Sequence, residues 1–471
     1  MPGGRARERG RETAPVVSRA TDDRPGLYGS RETAATQRAR LRGGDVPVAV
    51  YGLGKMGLPL AAVYADITGN TVGVDTDEAV ADSVAAGDCH VRREPGLAEL
   101  VDEVVERGAL RATSDPVEGA SEAAVHVLIV PTLLDEAGAP DLSAVESAVE
   151  AVGAGLEPGD TVVIESTVPP GTARDVVVPA LAATSGLEPG TFGVAACPER
   201  TVSGQALADI RGTHPKVVGG VDDESTRVAR LVYGEVTDND VVATSSAAVA
   251  EAVKVFEGVY RDVNIALANE LAPCAEAFDI DVREAIAVAN TQPFCDIHDP
   301  GPGVGGHCIP VYPRFLASRP DVDAGLLEAA RARNEAMPEY TVDLLERLLD
   351  RAGRPLREAT VALLGATYKA DIAELRNAPS VPIARGLRAA GARVLVVDPL
   401  VEDWSAFGDS EPTELEALAA EEPDAVAVLT PHEEFRAFDW SSLPPTLVLD
   451  ARDALELSGA DHAVHTIGGK P

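Results

Sequence analysis

Cys308 stands in Gly301-Pro302-Gly303-Val304-Gly305-Gly306-His307-Cys308-Ile309-Pro310, a run holding four glycines and two prolines. Such a run makes a shaped loop, because glycine takes backbone conformations closed to other residues and lets a ligand approach the main chain. A thiol there could attack an electrophilic carbon; the plainer alternative is a small buried residue filling the loop. His307 could hydrogen-bond nearby, although adjacency along the chain does not establish a Cys–His pair. Lys254 is the stronger companion. Only five lysines (Lys55, Lys216, Lys254, Lys369 and Lys470) occur among 40 basic residues, and Lys254 lies beside Val253 and near Phe256. Partly desolvated, its ammonium would lower the thiol pKa and stabilise an oxyanion on an attacked carbonyl; otherwise it is a surface stem. Glu165-Ser166-Thr167 follows a predicted strand, and Cys197-Pro198-Glu199-Arg200 follows the apolar Val194-Ala195-Ala196. Ligand crevices of open parallel sheets lie at such strand ends. The Thr167 hydroxyl and Glu199 carboxylate could there position and deprotonate water. Glu199 could equally be a helix-start charge or a partner for Arg200.

A second chemical signal lies nearer the N-terminus. Gly52-Leu53-Gly54-Lys55-Met56-Gly57 is a GxGxxG turn between the strand-like Val46–Tyr51 and a helical stretch from Leu58 to about Ile67. Amides at the start of such a helix can face a pyrophosphate. Asp75 ends the next strand, Thr71–Val74, 23 residues after Gly52. A carboxylate there accepts hydrogen bonds from an adenosine ribose and disfavours the extra phosphate of NADP, so the expected cofactor is NAD.

The elements that must hold these groups follow from periodicity. Apolar runs at Val125–Val130 and Thr161–Ile164 fit buried parallel strands separated by helices, giving a Rossmann-like NAD domain over residues 46–235. From Ala247 to Ala277 no proline intervenes before Pro273. Val249, Val253, Phe256, Val259 and Tyr260, continued by Val263, Leu267 and Leu271, share one helical face. This predicts a long connecting helix in a central helical domain, residues 236–335, with opportunity for dimer contacts. Helical material from Leu326 to Leu349 leads into strand-like runs at Val361–Leu364, Val394–Val397, Ala425–Leu429 and Thr446–Leu449, a C-terminal α/β domain over 336–465. The fold class is therefore α/β with a helical middle.

Bulk properties bound the function. With 40 Lys+Arg against 76 Asp+Glu, the formal net charge of −36 disfavours nucleic acid and anionic membranes as partners. Strong acidity with scarce lysine suits a soluble protein of a high-salt cytoplasm, where screening weakens self-repulsion. Five cysteines (Cys89, Cys197, Cys274, Cys295 and Cys308) without a CxxC pair read as reduced cytosolic thiols, with no metal site expected. Apolar runs are too short for a membrane span, and no signal peptide precedes the first strand. Residues 1–45, rich in arginine, read as a disordered leader or as translation from an upstream start.

Taken in order, these segments resemble the nucleotide-sugar 6-dehydrogenase family over roughly residues 46 to 460. The matching wording includes Gly52–Gly57, Asp75, Pro131-Thr132, Glu165–Thr172, Cys197–Arg200, Lys254, Tyr260–Ala266, Ala268–Glu270 and Gly301–Pro310. It continues with Tyr368-Lys369-Ala370-Asp371 and Arg376-Asn377-Ala378-Pro379. Arg261–Ala266 and Gly301–Cys308 are most similar to the UDP-N-acetylmannosamine dehydrogenase branch. The resemblance implies oxidation of a sugar C6 alcohol to a carboxylate with two NAD⁺, through a Cys308 thiohemiacetal and thioester. Lys254 would stabilise oxyanions, while Thr167 and Glu199 organise proton transfer and water. It also implies NAD contacts from Gly52, Gly54, Lys55, Met56, Gly57, Asp75, Pro131, Thr132 and Thr167. A UDP-sugar would meet Glu199, Arg200, Lys254, Arg261, Asn264, Gly303, Gly305, Gly306, His307, Tyr368, Lys369 and Arg376, with the C-terminal domain closing over the UDP portion. Arg376 could instead be a structural ion-pair residue. A homodimer is expected.

Two positions depart from the family pattern. Gly258 stands where asparagine is common four residues after the helix lysine, and Tyr312 where aspartate is common four residues after the nucleophile. An active variant with altered substrate choice or slower thioester hydrolysis is the expectation. A UDP-glucose 6-dehydrogenase and a non-catalytic nucleotide-sugar sensor or assembly partner are the alternatives.

Overall fold

A computed structural model describes residues 26–202, 204–457 and 461–470. The run from Val48 to Tyr51 is an interior strand, the sixth across an eight-stranded sheet. Its strand order is Val241–Ala243, Lys216–Gly220, Gly193–Ala196, Thr161–Ile164, Val125–Leu128, Val48–Tyr51, Thr71–Val74 and Leu110–Thr113. All neighbours run parallel except Gly193–Ala196 against Lys216–Gly220. Alternation explains why this interior strand is apolar throughout: Val48 and Val50 enter one core cluster, Ala49 and Tyr51 the other. Both faces are covered, as parallel sheets require.

Register sets the site. Tyr51 pairs with Val74 and Leu128, Leu128 with Ile164, and Ile164 with Ala196. Five chain segments therefore leave the sheet along one carboxyl edge: the glycine turn after Tyr51, Asp75, Pro131-Thr132, Glu165–Thr167 and Cys197–Glu199.

The helix Ala247–Leu271 leads out of this domain, followed after Pro273 by the short helix Cys274–Phe278. It packs against the helix Gly325–Arg351 through small and polar residues. Arg331 Nη1 lies 2.5 Å from the Asp262 carboxylate, and Asn334 Nδ2 donates to the same group at 2.8 Å. The apolar face read from the sequence is a different one. Val249, Phe256, Tyr260 and Leu267 are 43–56% exposed. A six-stranded parallel sheet follows, ordered Glu411–Pro412, Arg393–Val397, Thr360–Leu364, Ala425–Val428, Leu447–Asp450, Ala463–Thr466.

The expected leader requires correction over its second half. Residues 26–45 are ordered, with helix Ala34–Arg42 capped by the Thr33 hydroxyl. Leu27 and Leu41 are wholly buried. Arg227 holds the segment through the Leu27 carbonyl at 3.0 Å and the Gln37 side chain at 2.9 Å. Its order comes from partners about two hundred residues away, which an arginine-rich local sequence does not reveal. Residues 1–25 lie outside the described residues. Lys216–Gly220 is a strand that its local sequence conceals, since Gly219 and Gly220 weaken the strand signal.

Candidate active site

The strand-to-helix turn is built by glycines for separate reasons. Gly52 has φ of 94°, and a Cβ on it would sit 2.8 Å from the Ile129 carbonyl oxygen. A Cβ on Gly57 would collide with the Gly52 carbonyl, whereas at Gly54 it would meet nothing within 4 Å. Gly54 therefore presents bare backbone to open space, the shape a diphosphate needs. The Asp75 carboxylate is fixed beneath the turn by the Leu53 amide at 2.8 Å and the Asp77 amide at 3.0 Å. These residues fit a dinucleotide with unphosphorylated ribose hydroxyls.

One cavity of about 1060 Å³ is lined by Gly52, Gly54, Lys55, Met56, Gly57, Asp75, Pro131, Thr132 and Thr167, together with Glu199, His307, Cys308, Tyr312, Glu374 and Arg376. Every expected cofactor residue lines it. The thiol thus shares its chamber with the nucleotide turn, although 251 residues separate Gly57 from Cys308.

The cysteine loop owes its path to close packing against the C-terminal domain. Gly303 and Gly306 have φ of 136° and 88°. A Cβ on Gly305 would stand 2.6 Å from Tyr368 Cβ, and one on Gly306 2.7 Å from Tyr368 Cε2. The Gly306 amide donates to the Arg376 carbonyl at 2.9 Å, and Asn377 Nδ2 returns a bond to the Gly306 carbonyl at 2.9 Å. Gly303, Gly305, Gly306 and Tyr368 therefore clamp loop to domain.

Around Cys308, burial pushes the thiol up, but three groups outweigh it. These are the His307 hydrogen bond and charge, the Tyr312 hydrogen bond, and the Lys254 ammonium, and together they hold the thiol below its ordinary value. The hydrogen bond to Cys308 raises His307 in turn. A thiolate–imidazolium pair is the form these shifts favour. Lys254 Nζ is 3.8 Å from Glu199 Oε2, and the other Glu199 oxygen accepts the Thr201 amide. The Thr132 hydroxyl donates to the Thr167 carbonyl at 2.6 Å, which fixes the Thr167 backbone beside the chamber.

Several expected contacts lie elsewhere. Arg200 pairs with Glu257 at 2.6 Å and donates to the Pro215 carbonyl at 2.9 Å. Asn264 donates to the Asp296 carbonyl at 2.6 Å and accepts the His298 amide at 2.9 Å, staying off the cavity wall. Arg261 and Lys369 are exposed and do not line it either. Arg376 lines the cavity, with Nε 3.5 Å from Glu374 Oε1.

Sequence reasoning missed two groups. Glu374 faces Lys55 Nζ at 3.8 Å, His307 Nδ1 at 3.5 Å and Arg376, joining three segments; in so acidic a chain one more glutamate carries no signal. Lys216 Nζ grips the buried Glu165 carboxylate at 2.6 and 2.7 Å, with the Tyr233 hydroxyl on the same oxygen at 2.5 Å. The rarity of lysine could have pointed to Lys216 as it did to Lys254.

Residues 46–237 match the NAD binding domain of the UDP-glucose/GDP-mannose dehydrogenase family, residues 248–336 its central domain, and residues 362–457 its UDP binding domain. The chain is 35% identical over 414 residues to the UDP-N-acetyl-D-mannosamine dehydrogenase of Pyrococcus horikoshii, covering 87% of this chain and 96% of that one. Identity is 34% over 414 residues to the NDP-N-acetyl-D-galactosaminuronic acid dehydrogenase of Ralstonia nicotianae, covering 86% and 95%. Among solved structures, the UDP-D-ManNAc dehydrogenase of Pyrococcus horikoshii superposes with a TM-score of 0.81 at 34% identity, covering 90% of this chain and 99% of that one.

Proposed function

The chain belongs to the UDP-glucose/GDP-mannose dehydrogenase family and its cofactor is NAD; from that premise we propose that it oxidises the C6 hydroxyl of a UDP-N-acetylhexosamine, UDP-N-acetyl-D-mannosamine first, to the carboxylate. The observation that carries this reading is the single chamber shared by the glycine turn, Asp75, Cys308 and Thr167. NAD, when bound, supplies the hydride acceptor for both oxidations. Asp75 orients its ribose, and Gly54 admits the diphosphate.

Cys308 thiolate adds to the C6 aldehyde: a C–S bond forms and the carbonyl π pair moves to oxygen. The tetrahedral carbon keeps a hydrogen, which is why a thiol lets one site oxidise past the aldehyde. Lys254 stabilises the oxyanion. Glu199 and Thr167 hold the water that cleaves the resulting thioester, freeing the thiol and the acid. Arg376, Tyr368 and the Gly303–Gly306 loop meet the UDP portion.

Two further parts of the reading have separate support. The exposed Val249, Phe256, Tyr260 and Leu267 on one helix favour a homodimer. The net charge of −36 favours a high-salt cytoplasm, and among the described residues no helix is long and apolar enough to cross a membrane. Recovery of the native protein outside the cell would count against that location.

The test measures NADH released per limiting UDP-N-acetyl-D-mannosamine in high-salt buffer, with product mass, beside UDP-glucose and Cys308→Ser reactions. Two NADH per sugar, a C6 acid, and loss of complete oxidation in the variant are expected. No NADH from a folded, NAD-binding protein would overturn the reading.

A further inference from the structure

Gly258 and Tyr312, the two residues set apart in the sequence, occupy one place. Gly258 lies on the helix Ala247–Leu271, one turn beyond Lys254, and Tyr312 opens the short helix Tyr312–Ala317. A Cβ on Gly258 would stand 3.0 Å from Tyr312 Cγ and 3.1 Å from Cε2, closer still to Cδ2. Real side chains do not pack that tightly, so any residue larger than glycine excludes the ring. The ring is buried with Val255 and Phe315, only 8% of the residue remaining exposed. Its hydroxyl lies 3.3 Å from Thr167 Oγ1, and Tyr312 packs with Cys308 and lines the same chamber.

Packing alone would not demand that polar tip. Phenylalanine would fill the same space, and a buried phenol carries a desolvation cost unless bonded. Here the bonding has a direction. The phenol stays neutral, because burial and the neighbouring Cys308 push its ionisation well above the ordinary range. A neutral phenol has one proton to donate. The Thr167 and Tyr312 hydroxyls share one hydrogen bond that either can donate; with Thr167 donating, the Tyr312 proton is left for sulfur.

We propose that Tyr312 is a catalytic residue: admitted beside Cys308 by the bare backbone of Gly258, its O–H donates the hydrogen bond that holds the attacking sulfur, with Thr167 behind it. This rests on Cys308 being the nucleophile of the oxidation proposed above. The thiol proton passes to His307. As the C–S bond forms, negative charge leaves sulfur for the new alkoxide, and the phenol turns from sulfur to that oxygen, beside Lys254. Where the resemblance leads to an expectation of asparagine and aspartate, this chain has one aromatic donor and the hole that seats it. The other charged or titratable groups facing the sulfur or its partners are Glu199, Tyr368, Glu374 and Arg376.

The experiment compares wild type with Tyr312→Phe, Gly258→Ala and the double variant. The rate of Cys308 alkylation by iodoacetamide is followed against pH in the resting enzyme by peptide mass, alongside kcat and KM for UDP-N-acetyl-D-mannosamine. Tyr312→Phe keeps the ring in its seat. It is expected to retain NAD affinity and melting behaviour, to shift the alkylation profile upward by about one pH unit, and to lower kcat about tenfold or more at little-changed KM. That is the size of one lost hydrogen bond to a charged atom. Gly258→Ala displaces the phenol and should reproduce both effects, and the double variant should lose no more kcat than Gly258→Ala alone. A Tyr312→Phe enzyme with wild-type alkylation profile and kcat reduces Tyr312 to packing and overturns the proposal. So does a wild-type Cys308 titrating like an ordinary cysteine, a measurement that needs no variant. If wild type oxidises no UDP-sugar, the parent reading falls, while the resting-enzyme alkylation comparison still decides whether Tyr312 holds the sulfur.

Discussion

Lys254 is one of five lysines in the chain, and its charge reaches both Cys308 and the Glu199 carboxylate 3.8 Å away. A fixed ammonium whose side chain is mostly buried acts most strongly on charge that appears only in the transition state. Lys254→Met keeps most of the stem volume and removes the charge. Its kcat should fall about 10²- to 10³-fold, as for a lost oxyanion donor, with the alkylation profile of Cys308 moved to higher pH. Steady-state NADH kinetics with a melting curve check this, and a loss below about threefold would remove Lys254 from the chemistry. The thiol and the lysine were legible from residue type and rarity. The seat of Tyr312 against Gly258 and the links of Glu374 to Lys55 and His307 were not, because each joins segments distant in sequence.

At the scale of elements, the helix Ala247–Leu271 fixes the sheet's carboxyl edge as well as carrying Lys254. Glu251, 2% exposed, accepts the Gly171 amide at 2.6 Å and the Ala173 amide at 2.8 Å, gripping the segment that follows Thr167. Burial outweighs these bonds and pushes the carboxyl up to about 7, with Asp175 adding to the rise and Arg174 opposing it. A raised acid binds its proton more tightly in the folded state. Its contribution to stability is therefore full below the unfolded pKa and fades as pH climbs through about 7. One pKa unit is worth about 1.4 kcal/mol, so the change is on the order of 3 kcal/mol. Glu251→Gln should flatten that part of the profile. Urea unfolding of both proteins between mildly acidic and mildly alkaline pH checks it; parallel curves would show that Glu251 does not titrate in this window.

The whole molecule is acidic, and one helix face remains apolar and uncovered. At molar salt the screening length falls to about 3 Å, so surface self-repulsion fades while burial of apolar area gains weight. Melting temperature should therefore rise with KCl concentration. Light scattering in the same buffers should report a dimer, and Phe256→Asp, placing a charge on a residue 56% exposed in the protomer, should shift it to monomer. A wild-type monomer under active conditions would sink the dimer and leave the exposed face unexplained.

The α/β layout, the glycine turn with Asp75, the long central helix and the cysteine loop were determined by sequence alone. Each is written in local terms: a period, a residue that only one backbone shape tolerates, or a spacing within one supersecondary unit. Periodicity reports that an element has an apolar face without saying what covers it. So Val249, Phe256 and Tyr260 were found as a stripe, while the interior stripe of Ala250, Gly258 and Asp262 was not. Order in residues 26–45, the Lys216–Glu165 pair and the fit of Tyr312 onto Gly258 were decided only by tertiary structure. Each depends on chain segments tens to hundreds of residues apart, and the free energy of such a contact resides in a pair that neither local sequence contains.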